Sequence, residues 1–408
     1  MVALRLETEL LVACAGTDLG PETSERIARL ARGAIEWTYV VGKAEDHGIR
    51  PLLFRSLNTV CPEIIPSLIL KNLRTFVLAN ATRNLWLGAE LIKLLNSFKD
   101  RGISAIPFKG PVLGSWAYGD PALRESSDLD ILIPNRSLQE AKALLATQGY
   151  RQQSPVPSQR NADANEKDTQ RYHIFIDKDS GATVDLQPSL EAPHFSFALH
   201  SQLWDGAVFR EFAGQTILSF CPEHLLILLC VHGTKDVWSR MKWICDIAEF
   251  VQRDKEIHWD RILDQAKRLC AKRKFLLGCF LAYDLLHAKL PEHILHNALK
   301  EPLVTTAAET IRRRLFVDNR TCTNFERVTL YFRTDDTFRE RMKRFLRYLS
   351  LYLCVLLVPS DDDRQFLRGA DWPSSASYIV RPVRLIAKYG TRPHQAIKAF
   401  RDWFRSMS

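Results

Sequence analysis

Residues 108–134 read FKGPVLGSWAYGDPALRESSDLDILIP, which sets a Lys-Gly-Pro turn, an arginine and an Asp-Leu-Asp pair between two apolar runs. The first run, ISAIPF at 103–108, and the second, DLDILIP at 128–134, have the length and the alternation of short strands. Pro111 suits the first turn of a helix that we expect to reach about Tyr118, and a Gly-Asp-Pro turn follows. The stretch therefore predicts a strand, a helix and a second strand, the beginning of a small α/β core.

The sequence on either side of this core is mostly helical in pattern. Residues 4–100 carry periodic apolar positions, and so does most of the chain after Glu223. Two further strands, YHIFIDK and ATVDLQ, are predicted around a turn at 179–181, after a polar, loop-like stretch at 152–170. We therefore expect an α+β fold with a small mixed sheet. The predicted domains are an N-terminal helical region at 1–102, a core at 103–220 and a C-terminal helical domain at 221–408.

Composition limits the class of protein. The chain has 408 residues, of which 46% are hydrophobic, enough for a large core. Its longest apolar run, at 349–359, is far shorter than the roughly 18 to 20 residues that span a bilayer. The nine cysteines are scattered, and the N-terminus carries charges where a signal peptide would be apolar. We expect a cytosolic protein without a transmembrane segment or a thiolate metal cluster; the net charge of +9 favours polyanionic partners without naming one.

The Asp-Leu-Asp pair carries the first chemical signal. Alternation along the strand sends Asp128 and Asp130 to one face, roughly 6 to 7 Å apart at the backbone, where two carboxylates can share a hard cation. A two-metal site needs a third carboxylate, and Asp185, flanked by apolar residues in the later strand, is the candidate. A bare Asp-x-Asp is more often an ordinary strand end whose aspartates cap a helix or pair with Arg124. The neighbouring residues therefore decide the interpretation.

Those neighbours suit a phosphate group. Lys109 and Gly110 lie where a strand gives way to a helix, so backbone N–H groups, the helix dipole and the ammonium could meet phosphate there. Arg124 could hold a further phosphate oxygen with two N–H groups. Each has an ordinary alternative as a solvated surface residue. Their occurrence together with the paired aspartates favours a nucleotide site.

Together these motifs resemble the nucleotidyltransferases of the DNA polymerase beta superfamily: a strand, a K-G turn, a helix, Y-G-D-P, R-x-S-x-D-L-D-I-L-I and a later V-D-L. Within it, the chain is most similar to a bacterial nucleotidyltransferase-like family often found near polysaccharide genes. The resemblance extends to E-W-x-x-x-x-x-K-A-x-x-H-G-I-x-P-L-L at 36–53 and to H-G-T-K-D-V-W-S-R-M-K-W-I-C-D-I-A at 232–248. It therefore covers most of the chain.

The resemblance implies transfer of NMP from an NTP, such as ATP, to a hydroxyl of a protein, an RNA or a small molecule, with Mg²⁺ or Mn²⁺. It implies that Asp128, Asp130 and Asp185 are the catalytic metal ligands and that Asp185 accepts the proton of the attacking hydroxyl. The residues expected to bind the nucleotide are Lys109, Gly110, Arg124, Ser126, His232 and Lys235.

Two positions depart from the superfamily pattern. The usual Gly-Ser before the aspartates has a look-alike in Gly114-Ser115, but this pair falls inside the predicted helix, where its N–H groups are already used. Lys109-Gly110, at the strand-to-helix turn, is the better match in position. Gln187 follows V-D-L where relatives commonly have His-Trp, and we expect this difference to alter the acceptor side.

A helix is predicted from about 222 to 252, and on it His232, Lys235 and Ser239 would share one face. We expect Lys235 to meet a phosphate and His232 a polar group of the ligand; the alternatives are a core histidine and a surface lysine. The residues of this segment that we interpret as structural are Trp238, Trp243 and Asp246.

Two other functions stay open. One is a catalytically inactive relative that binds nucleotide and regulates a partner, and the three intact aspartates argue against it. The other is an RNA-binding helical scaffold, which rests on the basic runs IRRRL at 311–315 and RERMKRFLRY at 339–348. Such runs are also typical of solvated helix faces. Mg²⁺-dependent turnover and a steep salt dependence of RNA binding would separate the three functions.

Overall fold

The computed structural model describes residues 5–153, 173–188, 203–317 and 322–339, together with positions 341, 342 and 346. By compactness, residues 1–336 form one unit and residues 337–408 a second. The finer division into three domains, at residues 102 and 220, stays a prediction. The predicted α+β class is confirmed: helices dominate the first unit, and a small mixed sheet lies among them.

The part of the chain before the sheet is helical, as its apolar periodicity predicts. Its long last helix buries the side that carries Leu87, Leu91 and Leu94 and exposes the other. The first helices are α1 (Leu6–Ala13), α2 (Pro21–Ala31), α3 (Trp37–His47), α4 (Arg50–Val60) and α5 (Ser67–Asp100).

The central sheet has five strands in the order β1-β2-β5-β4-β3. They are β1 (Ile106–Pro107), β2 (Leu129–Leu132), β3 (Tyr150–Gln152), β4 (His173–Asp177) and β5 (Thr183–Gln187). Strands β2 and β5 run parallel, whereas each of the other neighbouring pairs is antiparallel. The sheet is therefore mixed, and its one parallel pair lies beside the short edge strand β1.

Alternation along the two parallel strands separates a core face from a polar face. Leu129, Ile131, Val184 and Leu186 are almost completely buried. Successive residues of a strand point to opposite faces, so the aspartates between these residues point away from this core. The same apolar pattern that predicted the strands therefore also places the acidic side chains.

The segment after β1 is helical as far as Tyr118, as predicted, but it changes from an α-helical to a π-helical turn. Helix α6 (Gly110–Leu113) is a single turn, and a π-turn (Gly114–Tyr118) follows it. The segment ends at Gly119, which has a φ of 75°. The predicted helix is therefore present over the expected residues, and its wider π-helical turn buries Trp116 and Tyr118.

A two-stranded hairpin follows the central sheet, in a stretch for which the sequence pattern predicts no separate element. Its strands are β6 (Ala207–Phe212) and β7 (Gln215–Phe220). They are joined by Ala213 and Gly214, which both have positive φ. The alternation in AVFREF and QTILSF around Ala-Gly is the signal that identifies this hairpin.

The remaining helices confirm the predicted helical pattern after Glu223 but break one predicted helix in two. They are α7 (Leu138–Thr147), between β2 and β3, then α8 (Pro222–Lys235), α9 (Lys242–Arg253), α10 (Trp259–Arg268), α11 (Lys272–Leu286), α12 (Glu292–Leu299), α13 (Pro302–Val317) and α14 (Asn324–Thr334). The continuous helix predicted over 222–252 is wrong, because the chain reverses between α8 and α9.

The reversal is a strained turn held by a buried tryptophan. Val237 and Trp238 have φ values of 52° and 54°, a conformation that L-residues seldom adopt and that is rarest for β-branched ones. The ring of Trp238 is fully buried against Gly233, where a Cβ would come within 2.4 Å of it. Ser239 lies beyond this turn and does not share a helix face with His232 and Lys235.

Each helix in the described part of the chain is either too short or too polar to cross a bilayer. The apolar run at 349–359 lies outside the described residues.

Candidate active site

Asp130 and Asp185 lie side by side on the polar face of the sheet. They are paired in the register of β2 and β5, and neighbouring strands are about 4.8 Å apart. Oδ1 of Asp130 accepts a hydrogen bond from Nζ of Lys109 at 3.1 Å and one from Nε2 of Gln187 at 3.2 Å. Nε2 of Gln187 also donates to Oδ2 of Asp185 at 3.0 Å. Three site residues predicted from the sequence, Lys109, Asp130 and Asp185, thus lie together.

Asp128 lies just before β2, and together with Asp130 and Asp185 it forms what we call the acidic group. It is half-buried, and its Oδ1 accepts a hydrogen bond from the hydroxyl of Ser127 at 3.1 Å. Burial and the charge of Asp130 raise the pKa of Asp128 and raise that of Asp185 to about 7. Burial and this repulsion therefore outweigh the charge of Lys109, which favours the ionised form of both carboxyls.

The donor set of this acidic group suits a hard divalent cation. Oδ1 of Asp185 is buried and has no hydrogen-bond partner among the described residues, although a buried carboxylate oxygen normally has one. Carboxylate oxygens are the ligands that Mg²⁺ takes in proteins. As the side chains stand, no three acidic, histidine or cysteine groups of the described residues converge on one point. Asp130 instead directs an oxygen at Lys109 and Gln187.

The Lys109-Gly110 turn lies where the sequence predicts it, between β1 and α6. Gly110 has a φ of 60°, and a Cβ there would come within 2.9 Å of the carbonyl oxygen of Asp128. Only glycine fits this approach of the two backbones. Pro111 has no N–H group, so the start of this helix offers one backbone donor fewer than usual for a phosphate. The ammonium of Lys109 adds a charged donor at the same turn.

Arg124 has a different partner from the one predicted. Its Nε and one terminal nitrogen donate to the two carboxylate oxygens of Asp246 at 2.8 and 3.0 Å, and both side chains are buried. The other terminal nitrogen lies 3.3 Å from the hydroxyl of Ser126, and Tyr118 donates its hydroxyl proton to Asp246 at 2.8 Å. The two-pronged contact predicted with phosphate is already made with Asp246. Arg124 and Ser126 thus hold the loop before Asp128.

The same loop is fixed from the N-terminal helices. The side-chain amides of Asn80 and Asn84, on α5, donate to the carbonyl oxygen of Arg124 at 3.2 and 3.1 Å. Arg50 makes a two-pronged contact with Glu125, with distances of 3.1 and 2.9 Å. The loop that delivers Asp128 is therefore held on both sides, and this explains why the N-terminal helices accompany the sheet.

His232 and Lys235 lie near the acidic group. Burial and the charges of Lys109 and Lys235 lower the pKa of His232 well below its ordinary value, so its ring is neutral at pH 7. Its Nε2 is 3.4 Å from Oδ2 of Asp236. The charge of Lys235 favours the ionised form of Asp185, against burial and the charge of Asp130. The charge of Lys235 thus acts on the acidic group, and the predicted contacts of both residues with the nucleotide stay predictions.

Lys242 is a residue near the site that the sequence interpretation missed. It is the first residue of α9, it is half-buried, and its Nζ donates to the carbonyl oxygen of Glu125 at 3.3 Å. Burial and the charge of Arg124 lower the pKa of Lys242 to about 8, and its own charge favours the ionised form of Asp128. Its side chain crosses Gly48, where a Cβ would come within 2.9 Å of Cδ of Lys242. The H-G-I and R-M-K-W motifs therefore meet here.

The basic run at 311–315 does not form an open cationic face. Ile311 and Leu315 are buried, a terminal nitrogen of Arg312 is 3.8 Å from Asp284, and Arg314 contacts the thiol of Cys322 at 3.3 Å. This is the pattern of an amphipathic helix. Most of the second run, at 339–348, lies outside the described residues.

Comparison with known proteins identifies the family of the chain. The sequence profile of a family described as an uncharacterised nucleotidyltransferase matches residues 33–287, more than half of the chain. No curated protein matches. Two solved structures are similar in part, each with a TM-score of 0.30, which is too low to support an argument. One is the antibiotic-resistance factor ANT(2'')-Ia, at 14% identity over 46% of this chain and 92% of its own. The other is an antigenic nucleotidyltransferase-like protein from Paracoccidioides brasiliensis, at 16% identity over 52% and 97%. On the profile match, the chain belongs to this family of uncharacterised nucleotidyltransferases.

Proposed function

We propose that this nucleotidyltransferase moves NMP from an NTP to a hydroxyl of an acceptor, with Mg²⁺ or Mn²⁺ held by Asp128, Asp130 and Asp185. The observation that carries the proposal is the placement of Asp130 and Asp185 in register on two parallel strands, beside the Lys109-Gly110 turn. The unpartnered oxygen of Asp185 supports a cation at this position. A divalent cation there would neutralise the triphosphate and align it for displacement.

The protein groups have distinct parts in this reaction. The hydroxyl oxygen of the acceptor forms a bond to the α-phosphorus while the bond from that phosphorus to the bridging oxygen breaks, and pyrophosphate leaves with the electron pair. The proton of the hydroxyl passes to Asp185, whose carboxylate lies in register with Asp130 on the polar face of the sheet. Lys109, which now contacts Asp130, would donate to a phosphate oxygen. Catalysis then consists of positioning and charge neutralisation.

Lys235 and Lys242 provide further positive charge for the triphosphate. They lie with Lys109 among the cations whose charges depress the pKa of His232, so the site concentrates positive charge around a neutral ring. Such a cluster is unfavourable alone and favourable around a polyanion. We expect Lys235→Ala to raise KM for the NTP without unfolding the protein, as loss of a phosphate contact should. Lys109→Ala should weaken use of the NTP more than it weakens metal binding.

The direct test uses NTPs labelled at the α-phosphate. Purified protein is incubated with each of the four NTPs and Mg²⁺, alone and with cell lysate, and the protein, RNA and small-molecule fractions are counted for label. We expect one fraction to gain label with release of pyrophosphate, and Asp130→Asn to abolish the signal. NTP binding without label in any fraction would instead establish the inactive nucleotide-binding regulator.

A further inference from the structure

Gln187 connects the two carboxylates at the centre of the sheet. It is the last residue of β5 and lies two positions after Asp185, so both side chains point to the same face. Its amide nitrogen is 3.0 Å from Oδ2 of Asp185 and 3.2 Å from Oδ1 of Asp130. A primary amide has two N–H donors and no charge, so one group can hold two carboxylates without cancelling their charge.

These contacts engage one oxygen of each carboxylate. Among the described residues, the donors to Asp130 reach Oδ1, and Gln187 reaches only Oδ2 of Asp185. Oδ1 of Asp185 remains buried and without a partner in that part of the chain. A carboxylate fixed by a donor on one oxygen presents its other oxygen in a defined direction. In metal sites, donors of this kind orient the ligands.

We propose that Gln187 is a positioning residue that sets Asp130 and Asp185 for a divalent cation; this inference rests on the proposed function. Lys109 does not duplicate this role, because its ammonium donates to Asp130. Gln187 is the donor that orients Asp185 as well. Its part is to fix the angle between the two ligands rather than to touch the cation or the substrate.

The test measures Mn²⁺ affinity in the absence of nucleotide, by titration calorimetry and by the electron paramagnetic resonance signal of free Mn²⁺. Gln187→Met keeps the length of the side chain and removes both N–H donors. We expect Mn²⁺ to bind about 10-fold more weakly, the lower end of the usual effect of such orienting donors. The matched control is Gln152→Met on β3, where a glutamine amide contacts His173 in the same sheet. It should leave the affinity unchanged.

A second variant covers the case in which Gln187→Met does not fold. Gln187→Asn keeps the amide on a side chain that is one methylene shorter, so it should reach one carboxylate at most and give an affinity between those of the wild type and Gln187→Met. Unchanged or tighter binding by Gln187→Met, or by Gln187→Asn if only that variant folds, would overturn the positioning role. So would a wild-type protein that transfers NMP but binds no Mn²⁺ without nucleotide. Because binding is measured without turnover, Gln187-dependent Mn²⁺ binding in a protein that transfers no label would keep this inference and reject the proposed reaction.

Discussion

Two groups of buried charge in this molecule are organised in opposite ways. At the start of α11, Nζ of Lys274 lies 3.2 Å from Oδ1 of Asp335, and both side chains are almost fully buried. Asp336 accepts the backbone N–H groups of Lys272 and Arg273 at 2.6 and 2.9 Å. Every anion in this group has a cation or a helix N-terminus as its partner. All of these buried charges are therefore paired within the group, which we call the closed group.

The carboxylates in the acidic group of the sheet are not fully paired. Asp128, Asp130 and Asp185 share one lysine in direct contact among the described residues, and one oxygen of Asp185 has no partner there. Burial raises the pKa of Asp128, Asp185 and Asp336 alike, but the charge of Asp130 adds to this rise at Asp128 and Asp185, whereas backbone N–H groups and Lys274 oppose it at Asp336. Buried charges that stabilise a fold have hydrogen-bond and ion-pair partners. Buried charges that lack such partners are candidates for a functional site. The comparison predicts different outcomes for equivalent substitutions in the two groups.

The largest expected effect is on catalysis. Asp130→Asn removes a metal-ligand charge with little change in volume, so we expect kcat/KM to fall by about 10³-fold or more, because a metal ligand supplies several kcal/mol in the transition state. The melting temperature should change little. The matched control is Asp177→Asn at the end of β4, where the carboxylate accepts turn N–H groups. Full activity of Asp130→Asn would contradict the assignment of Asp130 as a metal ligand.

The equivalent change in the closed group should act on stability. Asp335→Asn leaves the ammonium of Lys274 buried without its counter-charge, and we expect the free energy of unfolding to fall by about 3–5 kcal/mol. Urea titration measures this loss. The double variant Lys274→Met with Asp335→Leu removes both charges and should recover most of it. A double variant as unstable as the single one would show that packing, and not charge closure, stabilises this group.

The sequence was sufficient for the parts of the site that follow local rules. Alternation around Asp130 and Asp185 identified both strands and the shared face, because apolar neighbours must point into the core. It could not identify the partner of Arg124, since Asp246 is 122 positions away and only tertiary packing brings them together. A lone arginine before two aspartates is equally compatible with a phosphate contact and with a buried ion pair.

The break between α8 and α9 was beyond local rules for another reason. Val237 and Trp238 both have positive φ, a strained backbone conformation for L-residues. The packing of the indole against Gly233 offsets this strain. The helical pattern on both sides hides the turn. It also hides Lys242, which points to the loop before Asp128 only because the chain reverses there.

A buried histidine among the N-terminal helices extends the comparison to a group that avoids charge. His47 is 6% exposed, and burial lowers its pKa to about 4 from an ordinary 6.5. The unfolded chain therefore takes up a proton at a higher pH than the folded chain. Stability from this group is complete above pH 6.5 and is lost as pH falls towards 4. The loss should reach about 3 kcal/mol at pH 4.

His47→Phe should flatten that part of the stability profile, which denaturant titrations between pH 7 and 4 would measure. His258→Gln, at an exposed histidine, is the control and should leave the profile unchanged. A slope between pH 6.5 and 4 that persists in His47→Phe would show that carboxylates, and not this histidine, set the acid sensitivity of the protein.

The smallest expected effect tests whether Lys242 belongs functionally with the acidic group of the sheet, that is, with Asp128, Asp130 and Asp185. Its ammonium contacts the loop before Asp128 and stays charged below a pKa of about 8, so it should attract the triphosphate more than it stabilises the fold. Lys242→Met keeps most of the side-chain volume over Gly48, and we expect KM for the NTP to rise about 10-fold with kcat nearly unchanged, as loss of a ground-state contact predicts. Lys242→Arg should retain a low KM above pH 8, where the wild type loses charge. Lys267→Met, at an exposed lysine of α10 that pairs with Asp264, is the control. An unchanged KM with a lowered melting temperature would place Lys242 with the closed, structural charges.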